Sequence, residues 1–285
     1  VRGFIVREKA DYPNNWRCEM ELDGYLKQNR IIGLEGIDTR ALTKILRNHG
    51  TMKGIITVRE LTQSQIQQKL KAFHNKNAVA EVTTKEMYQI EGNGKHIAVM
   101  DFGIKENIIR SFKKRDCKLT VFPADTPAEE ILKINPDGIF LSNGPGDPKD
   151  LPGVISTIKT LIGKKPIFGI CLGHQLLALS MGGNTEKLKF GHRGCNHPVK
   201  DLLERKVYIT SQNHGYVVTD LPEDMIKTHI NLNDGTVEGM MHKKLPIFSV
   251  QFHPEACPGP KDTAYIFDRF MELMEGGFAC QEITA

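Results

Sequence analysis

The 285-residue sequence contains no apolar run able to span a membrane. Its longest candidate, around Pro166 to Gly183, is broken by His174 and Gln175, whereas a spanning helix needs roughly 18 consecutive apolar residues. Charge of one sign is scarce too. Lys and Arg number 38 against 34 Asp and Glu, a net charge of +4; with no long basic run or aromatic-interleaved basic stripe, nucleic acid is not an expected partner. Lys113, Lys114 and Arg115 read as a solvated helix face. The six cysteines form no CxxC pair and are too sparse for a disulfide framework, which predicts reduced thiols in a cytoplasmic protein. Repeats, low-complexity segments and a phosphate-binding GxxxxGK[ST] loop are all missing. The chain opens at Val1 without an initiator methionine, a basic leader or an apolar signal core. A secretory address is therefore not expected, and a missing amino-terminal part is.

What remains is an ordinary globular composition, 40% hydrophobic and 25% charged, which excludes disordered and fibrous classes. The length suits roughly two domains. Residues 1–91 read as a small mixed α+β segment. A strand is predicted near Gly3 to Val6, followed by a polar stretch with Pro13 and Trp16. Next comes a helix capped by Asp38, carrying Leu42, Ile45, Leu46 and His49 on one side and ended by Gly50. A strand at Gly54 to Val58 and a helix near Ser64 to Phe73 follow, and Gly92 with Gly94 brackets a linker.

From residue 95 to 285 short apolar runs alternate with helical patterns, the sign of βα units around an open, mostly parallel, doubly wound sheet. Strands are predicted at His96 to Met100, Lys118 to Phe122, Gly138 to Leu141, Ile167 to Ile170 and Ile247 to Phe252. One helix carries Ile104, Ile108, Ile109 and Phe112 on a face; others cover Leu151 to Ile162, Gly173 to Met181 and Asp262 to Met274. Ligands of such sheets bind beyond the carboxyl ends of the strands.

Three loops at those ends carry chemistry. Gly169-Ile170-Cys171-Leu172-Gly173 has the form of a nucleophile elbow with a thiol at its crest. A helix beginning just behind Cys171 favours the thiolate over the free thiol, whose ordinary pKa is about 8.5. In His253-Pro254-Glu255, residues two apart on an extended backbone share a face, which suits a base and the group that orients it. Taken alone, that tripeptide also fits an ordinary turn, and the pentapeptide fits a buried small cysteine. The third loop, Ser142-Asn143-Gly144-Pro145-Gly146-Asp147-Pro148, is a stiff turn that can present N–H groups to an oxyanion; the Leu172 N–H is the natural second donor. His192, Cys195 and His197 offer no second ligand pair, so no metal site is expected.

These loops, read in the order SNGPGDP, GICLGHQLLAL and VQFHPEA, closely resemble the triad, or class I, glutamine amidotransferase domain. The segments Phe190 to Val199 (FGHRGCNHPV), Thr210 to Tyr216 (TSQNHGY) and Gly33 to Thr43 (GLEGIDTRALT) resemble the small-subunit family of carbamoyl-phosphate synthases. The resemblance implies that Cys171 attacks the side-chain amide of L-glutamine, His253 shuttles the proton and Glu255 orients His253. It implies an oxyanion hole at Gly144 and Leu172, with Gly146 shaping the turn, and contacts from Gln175, Asn213, Gly215 and Tyr216 to the amino-acid end of the substrate. No cofactor is implied in this chain. ATP and Mg are implied on a large synthetase subunit, which would combine ammonia with bicarbonate into carbamoyl phosphate for arginine or pyrimidine synthesis. In that family the small chain begins well upstream of the residue matching Val1, so the amino-terminal domain is expected to be truncated. Two alternatives stand beside this reading: the glutaminase subunit of another synthetase, such as those making anthranilate or guanylate, and a non-catalytic structural or regulatory subunit.

Overall fold

The structure, a computed structural model, describes residues 1–257 and 259–276. It divides into two compact units, Val1–His74 and Asn75–Ala285. The first unit holds β1 (Gly3–Ile5), α1 (Leu22–Gln28), β2 (Ile32–Leu34), α2 (Thr39–His49) and α3 (Gln63–Ala72). Strands β1 and β2 pair in parallel. Helix α2 starts where the Asp38 carboxylate accepts from the Ala41 N–H at 2.9 Å and stops at Gly50, whose φ of +88° a side chain would resist. A reciprocal capping box between Thr62 and Gln65 opens α3. The strand expected at Gly54 to Val58 does not form: β1 and β2 pair with each other instead, and Val58 is exposed. Among residues 1–74 only Gly50 is buried.

The second unit runs α4 (Ala78–Val82), β3 (Tyr88–Ile90), β4 (His96–Asp101), α5 (Glu106–Lys113), β5 (Lys118–Pro123), α6 (Ala128–Lys133), β6 (Gly138–Leu141), α7 (Pro152–Leu161), β7 (Ile167–Ile170) and α8 (Leu172–Ser180). Four strands follow, β8 (Asn184–Asp201), β9 (Val207–Asp220), β10 (Met225–Asn231) and β11 (Val237–His242), then β12 (Ile247–Val250) and α9 (Tyr265–Met274). All ten strands form one sheet in the order β3-β5-β4-β6-β7-β12-β11-β10-β8-β9. Neighbours from β5 through β12 are parallel, the doubly wound centre expected from the βα pattern. Beyond β12 the sheet continues as an antiparallel arm that the alternation of apolar runs did not suggest.

Residues 78–90 belong to this unit because β3 pairs with β5. Gly92 and Gly94 are not slack linker positions. A methyl group on Gly92 would strike the Asp116 and Cys117 carbonyls, and the Gly94 N–H donates to the Asp116 carbonyl at 2.7 Å.

Alternate residues of the central strands feed two cores, as a sheet covered on both faces requires. Ala98, Met100, Ile139 and Leu141 pack with Ile158, Leu161, Leu176 and Leu177 of α7 and α8. Ile97, Val99, Phe140 and Phe168 pack with Ile108 and Phe112 of α5 and Phe267 and Phe270 of α9. Each of these side chains larger than Ala98, once buried, contributes roughly 1.5–3 kcal/mol. Phe168 also stacks on Phe248 across the β7–β12 pair at 4.5 Å, holding together the two strands that lead into the site. Arg115 departs from the solvated face expected of it, donating to Asp268 of α9 at 2.6 Å. Among the described residues no helix is long and apolar enough to cross a membrane, and Cys18, Cys117, Cys171, Cys195 and Cys257 are free thiols. Cys280 lies outside the described residues.

Candidate active site

The parallel register of β7 and β12 sets Ile170 opposite Val250, so both strands end abreast. One residue further, the Cys171 N–H donates to the Val250 carbonyl at 2.9 Å. Cys171 then turns at φ +54° and ψ −102°, and α8 begins at Leu172. A positive φ on a residue with a side chain costs on the order of 1–3 kcal/mol and persists only where its surroundings enforce it. Here Gly173 lies against the Leu141 backbone and donates its N–H to the Ser142 carbonyl at 3.1 Å. Gly169 lies against Gly173 and His174, where an added Cβ would come within 2.9–3.1 Å of their backbone. The two glycines of the G-x-C-x-G motif thus let strand, loop and helix crowd together and leave the thiol at the crest, 4% exposed.

His253 and Glu255, both buried, follow β12. The His253 N–H donates to the Ser211 carbonyl of β9 at 3.0 Å, tying the loop to the antiparallel arm. Imidazole Nδ1 lies 2.8 Å from Glu255 Oε1. Nε2 is sealed from solvent and has no hydrogen-bond partner among the described residues. Burial works to lower the His253 pKa, but the negative charge of Cys171, and next that of Glu255, overcomes it and pushes the value up to about 9. For Glu255 burial works to raise the pKa, and His253, followed by Lys105, prevails and lowers it.

Lys105, in the turn after β4, belongs to the same group. Its Nζ lies 3.2 Å from Glu255 Oε1 and 3.1 Å from His253 Nδ1, and its backbone N–H donates to Asn143 Oδ1 at 3.1 Å. The motif reading missed it. Its position just beyond the carboxyl end of a parallel strand was the available signal, since Asp101 turns the chain there by accepting from Gly103 and Ile104, both at 2.8 Å.

Gly144 and Leu172 are neighbours: a side chain on Gly144 would strike Leu172 and Phe102. Gly146 takes φ +97°, which closes the stiff turn. Gln175, one helical turn beyond Cys171, donates from Nε2 to the Tyr216 carbonyl at 2.8 Å and to Gln251 Oε1 at 2.9 Å. Tyr216 is thereby brought to the site, and burial together with Asp147 pushes its phenol up to about 12. Gly215 lies next to it on β9, whereas Asn213 is exposed and has no described side-chain bond to this group.

Behind the site, His192, His214 and Glu238 bring ligand-type atoms within 4.8 Å of one another. They form a closed polar network. His192 Nε2 meets Asp234 at 2.8 Å, His214 Nε2 meets Gln212 Oε1 at 3.0 Å, and Glu238 accepts from Asn231 at 2.9 Å and Gln212 at 2.8 Å. Cys195, read beside His192 in the sequence, is exposed and is not part of it.

Residues 98–273 match the family model for glutamine amidotransferase class-I, and residues 1–56 match the CPSase domain of the carbamoyl-phosphate synthase small chain. The chain is 67% identical over 272 residues to the carbamoyl phosphate synthase small chain of Clostridium perfringens, covering 95% of this chain and 78% of that one. It is 51% identical over 280 residues to the pyrimidine-specific small chain of Bacillus subtilis, covering 96% and 76%. Among solved structures, a putative GMP synthase component from Thermoplasma acidophilum superposes with a TM-score of 0.58 at 25% identity, over 65% of this chain and 96% of that one. Likeness of this extent, on a wound sheet with an elbow cysteine, leads to one conclusion: the chain belongs to the carbamoyl phosphate synthase small chain family and carries a class-I glutamine amidotransferase domain.

Proposed function

We propose that the chain hydrolyses L-glutamine to glutamate and ammonia through a thioester on Cys171, and passes the ammonia to a large ATP-dependent subunit that makes carbamoyl phosphate. One observation carries the chemistry: His253 is held at Nδ1 by Glu255 while its buried Nε2 has no described partner, and a negative charge on Cys171 favours its protonated form. That is the nucleophile, base and orienter arrangement of covalent hydrolysis.

The Cys171 thiolate adds to the amide carbon, and the resulting oxyanion is met by the N–H groups of Gly144 and Leu172. A well-aimed donor of this kind is worth roughly 100-fold or more in rate. His253 gives its Nε2 proton to the departing nitrogen, the C–N bond breaks, and ammonia leaves a glutamyl thioester. Neutral His253 then takes a proton from water as the water oxygen adds to the thioester carbonyl. Collapse breaks the C–S bond and returns glutamate and the thiolate. Glu255 keeps the imidazole in one orientation throughout, and Lys105 balances that carboxylate.

Free ammonia would be protonated and lost, so the product has to be consumed by a partner. The proposed partner is the large synthetase subunit, which would hold ATP and Mg and supply the reaction with bicarbonate. Two measurements test the reading. A glutamine-competitive alkylating agent should label Cys171, with Cys171→Ala abolishing glutamine-dependent but not ammonia-dependent synthesis in the assembled complex. Sedimentation of the two purified chains should give a stable heterodimer. An unlabelled Cys171, or chains that fail to associate, would overturn it.

A further inference from the structure

The amide of Gln175 is held with its nitrogen turned inward. A glutamine side chain has two N–H donors and one carbonyl acceptor. The Tyr216 carbonyl, which can only accept, takes one N–H at 2.8 Å, and Gln251 Oε1 takes the other at 2.9 Å. The same Tyr216 carbonyl lies 2.8 Å from His214 Nδ1, so it is itself held in place. One anchor would leave the amide free to rotate about its last torsion; two fix it. What Gln175 has left is its oxygen, which accepts from no described residue.

We propose that Gln251 is a positioning residue: by holding the second N–H of Gln175 it keeps the Gln175 oxygen presented to the ligand, so that the site selects an amino acid by its cationic α-ammonium group. This rests on the glutamine-hydrolysis reading and adds to it the residue that holds Gln175, expected at the amino-acid end of the substrate, in one orientation. Gln251 is fully buried and stands two residues before His253. Its backbone N–H donates to the Glu238 carbonyl of β11 at 2.9 Å, fixing where its side chain starts. Its own Nε2 is buried without a partner. That orphan group is a cost that the fold accepts while keeping an acceptor under Gln175. The segment from Gln251 to Glu255 thus serves both ends of the substrate: Gln251 acts through Gln175 on the ammonium end, and His253 acts at the amide being cleaved.

The test is steady-state hydrolysis by the intact chain in its complex, comparing glutamine with glutaramate, which is glutamine without its α-ammonium group. The wild type should prefer glutamine by roughly tenfold to a hundredfold in kcat/KM, the range set by one hydrogen bond to a charged group. Gln251→Met, equal in length but with no comparable acceptor, should raise the glutamine KM roughly tenfold while kcat moves less than about threefold, and should shrink the preference by a similar factor. Gln251→Glu retains an acceptor oxygen and should restore both. A wild type that turns over both compounds equally well overturns the proposal without any variant. So does a Gln251→Met enzyme whose losses on the two substrates are equal, as a merely structural role would give, or a Gln251→Glu enzyme no better than Gln251→Met. A wild type inactive on both compounds would instead count against the hydrolysis reading itself.

Discussion

Two buried histidine–carboxylate pairs in this molecule use the same groups to opposite ends. In one, Nδ1 of His229 meets Thr228 Oγ1 at 2.9 Å, and Nε2 lies 3.3 Å from Asp201 and 3.4 Å from the Tyr265 hydroxyl, which itself donates to Asp201 at 3.0 Å. The second oxygen of Asp201 accepts from the N–H groups of Leu203 and Glu204 at 2.8 and 3.0 Å. Every polar atom is used, and the cluster fastens α9 to β8 and β10. In the other pair, Glu255 takes Nδ1 of His253, Nε2 has no hydrogen-bond partner among the described residues, and a negative charge on Cys171 favours the protonated ring. A carboxylate partner therefore does not make a histidine a base. In the proposed reaction the unfilled nitrogen, facing the proposed nucleophile, does.

Exchanging each histidine for asparagine gives the largest expected contrast. His253→Asn should lower glutamine hydrolysis by the folded protein roughly a thousandfold or more, by analogy with triads that act as a unit. His229→Asn should lower the midpoint and leave the kcat of the folded fraction within a few-fold. Equal activity losses would erase the distinction between the pairs.

Stability reports on the structural pair. Burial raises the pKa of Asp201, but the His229 hydrogen bond and charge outweigh it and hold the carboxyl well below the usual range. Removing one partner of such a buried pair costs on the order of 3 kcal/mol, so Asp201→Ala should lose about that much in urea unfolding. A loss within experimental error would mean that the cluster fastens nothing.

The pH dependence sharpens the contrast further. The folded pKa of His253, about 9, lies above the ordinary imidazole value of about 6.5. Its contribution to stability is therefore complete below that ordinary value and is lost as pH rises through about 9. Burial lowers His174 to about 3 and His214 to about 4, so their contribution is lost at the opposite end, as pH falls below the ordinary value. Urea midpoints measured from acid to alkaline pH should fall at both ends. Cys171→Ala removes the charge that raises His253 and should blunt the alkaline fall alone; an unchanged alkaline limb would contradict the coupling.

The smallest effect belongs to Lys105. Its side chain is 41% exposed, so water screens its charge. Lys105→Met should reduce kcat/KM by only about threefold to tenfold, visible as a displaced pH–rate profile. No displacement would remove Lys105 from the catalytic group.

The parallel centre of the sheet and the three loops were legible because buried parallel strands read as unbroken apolar runs, and because chemistry gathers where those runs end. The arm was not legible. Strands β8 to β11 mix buried polar residues such as Gln212, His214, His229 and Glu238 with apolar ones, so their period-two signal is lost. In the first unit, Ile32–Leu34 is too short to register against its polar surroundings, and α1, seven residues long, offers only Leu22, Tyr25 and Leu26 on one side. Gln251 escaped notice for another reason: its value lies in a contact with Gln175, 76 residues away in sequence, and no local pattern carries such a pairing.

The most direct measurement is to quench the complex in acid during turnover of isotopically labelled glutamine and map the label by peptide mass spectrometry. A glutamyl adduct on Cys171, retained longer when His253 is replaced by asparagine and absent from the exposed thiols Cys18, Cys195 and Cys257, is the expected result. Steady glutamine hydrolysis with no adduct on Cys171, or an adduct on one of the exposed cysteines instead, would contradict the assignment of the buried elbow thiol as the nucleophile.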